Sequence, residues 1–177
     1  LLSHRAILRA LALSTGLAVF AAGVANAALG TSFTAIAVFA TSIIYHLVII
    51  VVLGIYIFAA RQVFTEIILA ATSLYLIIGS AFAAIFALIE WFQPGSFAGA
   101  NGDIATWQEL LYFSYVTLTS LGYGDILPVK YYAQAFAAFE AILGVLYTVI
   151  LLSRLVGMHL HRVIPIVQDM IRYEVLI

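Results

Sequence analysis

Four long apolar stretches leave this chain few ways to fold. They run at roughly 6–29, 33–59, 64–92 and 132–160. A helix needs about 20 mostly apolar residues to cross a bilayer, and each stretch is long enough. Only 8% of the residues are charged and 66% are hydrophobic, whereas an average soluble domain is about 25% charged. Inside hydrocarbon, backbone N–H and C=O groups must be satisfied within the protein, so all four stretches are expected as helices. A length of 177 residues suits one bundle. A net charge of -1 offers no basic surface for nucleic acid. With no cysteine, disulfides and thiol catalysis are excluded.

The first stretch carries Ala21, Ala22, Gly23, Ala25 and Ala27, small residues that let membrane helices approach closely. Its basic start, apolar run and Ala25-Asn26-Ala27 also fit a secretory leader; it is read here as a helix. The first residue is Leu rather than Met, which suggests a trimmed chain. Arg5, Arg9, Arg61, Arg154, Arg162 and Arg172 all fall at one end of the expected bundle, and Lys130 alone at the other. The positive-inside rule then makes both termini cytoplasmic in a multi-pass protein, most simply of the cell membrane. Trp91, Phe92, Trp107, Tyr131 and Tyr132 would form an aromatic belt on the outer side.

Residues 93–105, "QPGSFAGANGDIA", read as loop. Thr106 and Glu109 then have capping-box spacing, in which each side chain satisfies an orphan N–H of a helix start. The apolar run that follows reaches Thr119 after about 14 residues, too short to cross a bilayer. It must enter and turn back. Non-helical backbone at that depth survives only when protein surrounds it or it lines a watery cavity. The turn is "TLTSLGYGD", residues 117–125. Gly122 and Gly124 permit backbone angles closed to other residues, so successive carbonyls can face one way and offer oxygen ligands to a hard cation.

That stretch resembles the filter signature of tetrameric potassium channels, whose carbonyl rings replace the ion's hydration shell. The resemblance covers roughly 64–162 and includes an outer helix, a re-entrant helix, the filter and an inner helix. It implies an all-α membrane protein: four transmembrane helices plus a re-entrant pore helix and filter, assembling as a homotetramer. Residues 1–62 would form two N-terminal transmembrane helices. Residues 63–162 would form the pore domain, with the pore helix at 106–118, the filter at 119–125 and the inner helix at 132–162; 163–177 would be a cytoplasmic tail. Ser120, Leu121, Gly122 and Tyr123 would bind K+ through their carbonyls, with Gly124 completing the ion-binding segment. Thr119, Asp125, Tyr112 and Glu140 would support the filter, Asp125 by bonding to Tyr112. The Tyr123 ring would point outward and brace against aromatics. Ser120 and Leu121 stand where the family usually has Thr and Val. Val116 stands where some relatives carry a glutamate, so no carboxylate pair with Asp125 can form.

Gly144 lies 21 residues after Tyr123, about where the family places an inner-helix hinge. Close helix packing accounts for it equally well. Thr148, Leu152 and Val156 follow at four-residue spacing and would line the cavity and gate. Glu140 is expected to be a hydrogen-bonded acid tying this helix to the re-entrant one through Ser114 or Tyr115. His46 reads as a histidine satisfied by a neighbour, His159 and His161 point to different sides of a helix, and Glu66 suits a helix start near Arg61. No helix carries the regular arginines of a voltage sensor. Either the gate answers to something in the membrane, or a regulatory domain has been removed. The expected function is passive, K+-selective conduction with K+ as permeant ion, membrane lipid and further copies of the chain as partners, and no enzymatic reaction. The alternatives are a channel of the same build that passes Na+ nearly as well, and a non-conducting membrane scaffold.

Overall fold

The apolar stretches form helices, and two very short strands join them. In the computed structural model the order is α1 (Leu2–Leu29), α2 (Ser32–Ala59), α3 (Thr65–Phe92), β1 (Phe97–Gly99), α4 (Trp107–Leu118), β2 (Ile126–Pro128) and α5 (Tyr131–Val175). The structure describes residues 2–60, 65–99 and 106–175, and within these the side chains other than those of 2–5, 155 and 158–175. Arg61, Asp103 and the 100–105 part of the expected loop therefore lie outside the described residues, as do the side chains of Arg5, His159, His161, Arg162 and Arg172. α1, α2, α3 and the first part of α5 are each long and apolar enough to span a membrane. The chain is an all-α membrane protein with one short extra helix, α4.

Two sequence expectations change in detail. The stretch from 93 is not all loop: β1 pairs antiparallel with β2, Phe97 opposite Pro128 and Gly99 opposite Ile126. α5 does not end near 160 but continues to Val175.

α1 packs on α2, α2 on α3, and α3 on both α4 and α5. Thr31 opens α2 with a reciprocal capping box to Thr34, and Thr34 also donates to Asn26 of α1, closing the tight turn between the two helices. The core that holds α4 is aromatic. Phe86 of α3, Phe97 of β1 and Phe113 of α4 form a triangle with ring centroids 5.1, 5.3 and 5.4 Å apart. Tilted and edge-to-face rings at that range contribute about 0.5–1.5 kcal/mol per pair beyond area burial. The triangle thus ties the short helix to the long one and to the hairpin. A second cluster, Ile57, Ile67, Ala71 and Leu74, joins α2 to α3 at the opposite end.

Glu90, buried near the end of α3, closes the following turn. Its two carboxylate oxygens accept from the backbone N–H groups of Gly95 and Phe97. Buried polar backbone must be paired, and one acid pairs two donors here. On the far side of the fold, α5 leaves Phe139, Ile142, Val149 and Leu152 more than half exposed. Such an apolar face needs lipid or protein against it.

Candidate functional site

The site is built on α4. Thr106 caps its start: the Thr106 hydroxyl accepts from the Glu109 N–H, and the Glu109 carboxylate accepts from the Thr106 N–H at 2.7 Å. The expected box is present. Hydrogen bonds from Thr106 favour the ionised form of Glu109 and hold its carboxyl below the usual range.

The end of α4 is tied as completely as its start. A helix leaves its last four carbonyls without helical partners, and here each has one. The Tyr115 carbonyl accepts from the Thr119 N–H and hydroxyl, that of Val116 from the Leu121 N–H, that of Thr117 from the Ser120 N–H, and that of Leu118 from the Tyr75 hydroxyl. The 116–121 and 117–120 bonds make a Schellman motif, whose residue past the cap adopts the left-handed conformation and is usually glycine. That residue is Ser120, at φ 57°. It is the one non-glycine residue at positive φ among those described.

Left-handed geometry then recurs at every second position. Ser120, Gly122 and Gly124 have φ of 57°, 62° and 76°, while Leu121 and Tyr123 between them do not. Positive φ at every second residue breaks the alternation of a strand, in which successive carbonyls point opposite ways, and lets them face the same side. Residues 119–125 are all exposed in the single chain. The Tyr123 ring stacks on Tyr112, with planes 5° apart and centroids 6.5 Å apart. Hydrogen bonding to the Asp125 carboxylate raises the pKa of the Tyr112 phenol, and Asp125 also accepts from the Ile126 N–H at 3.2 Å.

Behind this segment lies a buried polar junction. Ser114 and Glu140 are fully buried. The Ser114 hydroxyl faces the Glu140 carboxylate of α5 and the Gly79 carbonyl of α3, the latter at 2.6 Å. One serine therefore joins three helices, and of the two expected partners of Glu140 it is Ser114 that bonds. The Tyr115 hydroxyl goes instead to the Leu76 carbonyl, and the Tyr147 hydroxyl to that of Ala71. α5 meets α4 along a stripe of Ala133, Ala137, Glu140 and Gly144, at the i, i+3, i+4 spacing of one helix face. Gly144 sits directly against the Leu118 carbonyl, where a Cβ would overlap the oxygen. Below it Thr148, Leu152 and Val156 lie on the exposed side of α5.

His46 is satisfied: Nδ1 meets the Ser42 carbonyl at 2.6 Å and Nε2 the Ser80 hydroxyl at 2.8 Å. Sequence reading did not foresee Glu90, nor the role of Arg154. The Arg154 guanidinium donates to the carbonyls of Phe58 and Ala60 at 2.8 and 2.9 Å and lies over the Phe58 ring. A cation there complements the negative end of α2. Among the described residues no cluster of His, Cys, Asp or Glu has metal-site geometry.

Comparison with known proteins gives a family and a relative. A family model described as "Ion channel" matches residues 46–159. The chain is 38% identical over 64 residues to the two pore potassium channel c of Oryza sativa subsp. japonica. That match covers 36% of this chain and 14% of the rice protein. No solved structure matches the chain.

Proposed function

Because the chain belongs to this ion-channel family, we propose that it conducts K+ selectively and passively through a filter of backbone carbonyls. The ion-binding oxygens are those of Ser120, Leu121, Gly122 and Tyr123, with Gly124 closing the segment. The observation that carries the reading is the alternation of left-handed residues at 120, 122 and 124 in an exposed stretch anchored by α4. Oxygen ligands in rings suit a hard, weakly hydrated cation. The rice relative is itself named as a potassium channel, in line with that choice of ion.

One chain supplies one such segment, and a ring needs several. Closed rotational symmetry is the rule for soluble homo-oligomers, and the filter type this segment resembles takes four such loops, so the assembly is read as a homotetramer. The exposed apolar side of α5 then faces the axis and neighbouring copies. Residues 63–162 serve as the pore domain and 1–62 as an outer pair, with 163–177 as the cytoplasmic tail, into which α5 runs as far as Val175. Both termini are cytoplasmic and the cell membrane is the site of action. Thr119, Tyr112, Asp125 and Glu140 hold the filter. Thr148, Leu152 and Val156 line the cavity below Gly144, where apolar residues gate by dewetting. K+ is the permeant ion, and no bond is made or broken.

The test is a reversal potential in planar bilayers with K+ on one side and Na+ on the other. A selective filter gives a potential near the K+ equilibrium value, and Gly122→Ala abolishes it because position 122 sits at φ 62°. A potential near zero points to the unselective channel, and absence of current to a scaffold.

A further inference from the structure

Away from the filter, α1, the end of α2 and the start of α3 enclose a cavity of about 510 Å³. Ordinary small-molecule pockets span about 300–1,000 Å³. Its walls include Leu8, Val52, Leu53 and Ile67, and only Arg9 and Tyr56 bring polar side chains to it. Arg9 is exposed at its edge, and Tyr56 is 45% exposed. Arg154 caps α2 at the same end of the bundle, so the cavity lies where the chain gathers its arginines. Tyrosine and arginine at a helix end are interfacial anchors.

A cavity with aliphatic walls, opening at the level of a cation and a phenol, has two requirements. Its occupant must be apolar over most of its length and anionic at one end. A free phosphate meets only the second, and a neutral lipid only the first. Basic pockets between transmembrane helices on the cytoplasmic side bind acidic head groups in this way. We propose that this cavity seats an anionic phospholipid, its phosphate against Arg9 and Tyr56 and its first methylenes among Leu8, Val52, Leu53 and Ile67. The site is independent of the filter: it joins α1 to the α2–α3 corner, and conduction is not needed to observe it.

The experiment is native mass spectrometry of the purified full chain from mixed micelles holding equal phosphatidylglycerol and phosphatidylcholine. Phosphatidylglycerol is retained preferentially. Arg9→Gln lowers its retention about fivefold, the effect of one basic residue near a membrane surface, and leaves phosphatidylcholine retention unchanged. Val52→Trp fills the cavity with the charge intact and lowers retention as well. Millimolar inorganic phosphate does not compete. Equal retention of the two lipids, or Arg9→Gln and Val52→Trp variants that hold phosphatidylglycerol as the parent does, overturns the proposal. Competition by free phosphate overturns it too, since the aliphatic walls would then be idle. Melting temperature, recorded alongside, confirms that each variant is folded.

Discussion

Replacing Gly144 by Ala sets two effects of opposite sign against each other. In a free helix interior the change stabilises by about 1 kcal/mol, because glycine has the poorer helix propensity. Here the new methyl would overlap the Leu118 carbonyl oxygen and stand 2.9 Å from the Leu118 carbonyl carbon and 3.2 Å from its Cδ1. The side-chain atom can move; the carbonyl cannot easily, because the Tyr75 hydroxyl holds it at 3.0 Å and it ends a fully capped helix. Overpacking costs about 1–3 kcal/mol, and contact with fixed backbone puts this case near about 3. The net is a loss of about 2 kcal/mol, or about 4–8 °C in melting temperature for a domain of this size. Gly54→Ala is the control: a methyl there meets nothing within 4 Å, so the propensity gain stands alone and melting rises by about 2–4 °C. Thermal unfolding by circular dichroism in one detergent reads both variants. A Gly144→Ala protein melting at or above the parent would refute the packing argument and leave a hinge as the sole reason for the glycine.

Ser114→Ala removes the hydroxyl that joins α3, α4 and α5, and leaves the Glu140 carboxylate without its donor; stability falls by about 2 kcal/mol in the same melt, and an unchanged melting temperature contradicts the junction. Ser120→Gly relieves a left-handed serine and gains about 1 kcal/mol, so the variant melts higher; a lower melting temperature means that the serine side chain contributes more than its strain costs. Glu109 has a depressed pKa, so its contribution is present above the ordinary carboxylate range and is lost as pH falls through the folded value. Amide exchange at Thr106 and Glu109 therefore accelerates, after correction for intrinsic rates, on acidification through that point, and in Glu109→Gln the step is absent; a step that persists in the variant assigns it to another group.

The helices were legible because hydrocarbon leaves a chain no alternative, and the cap at Thr106 because a reciprocal box needs only residues three apart. The Ser114–Glu140 bond was narrowed to two partners because a buried acid among apolar residues has few donors to choose from. What sequence hid is of two kinds. The pairing of Phe97 with Pro128 and the reach of Arg154 to Phe58 and Ala60 link residues far apart in the chain, and nothing in either local pattern points to the other. Glu90 also went unremarked, although its partners Gly95 and Phe97 are near in the chain, because they offer backbone, not side chains. Ser120 is the other kind. Its left-handed φ is normally announced by glycine, and serine gives no such signal. Only its even spacing from Gly122 and Gly124 could have suggested it.

Rubidium anomalous diffraction from crystals of the assembled channel addresses the filter most directly. The account predicts a row of Rb+ peaks on a fourfold axis, level with the main-chain oxygens of Ser120, Leu121, Gly122 and Tyr123 from four copies. An assembly without that axis, or one in which those oxygens turn away from it and no ion is found, would contradict the account.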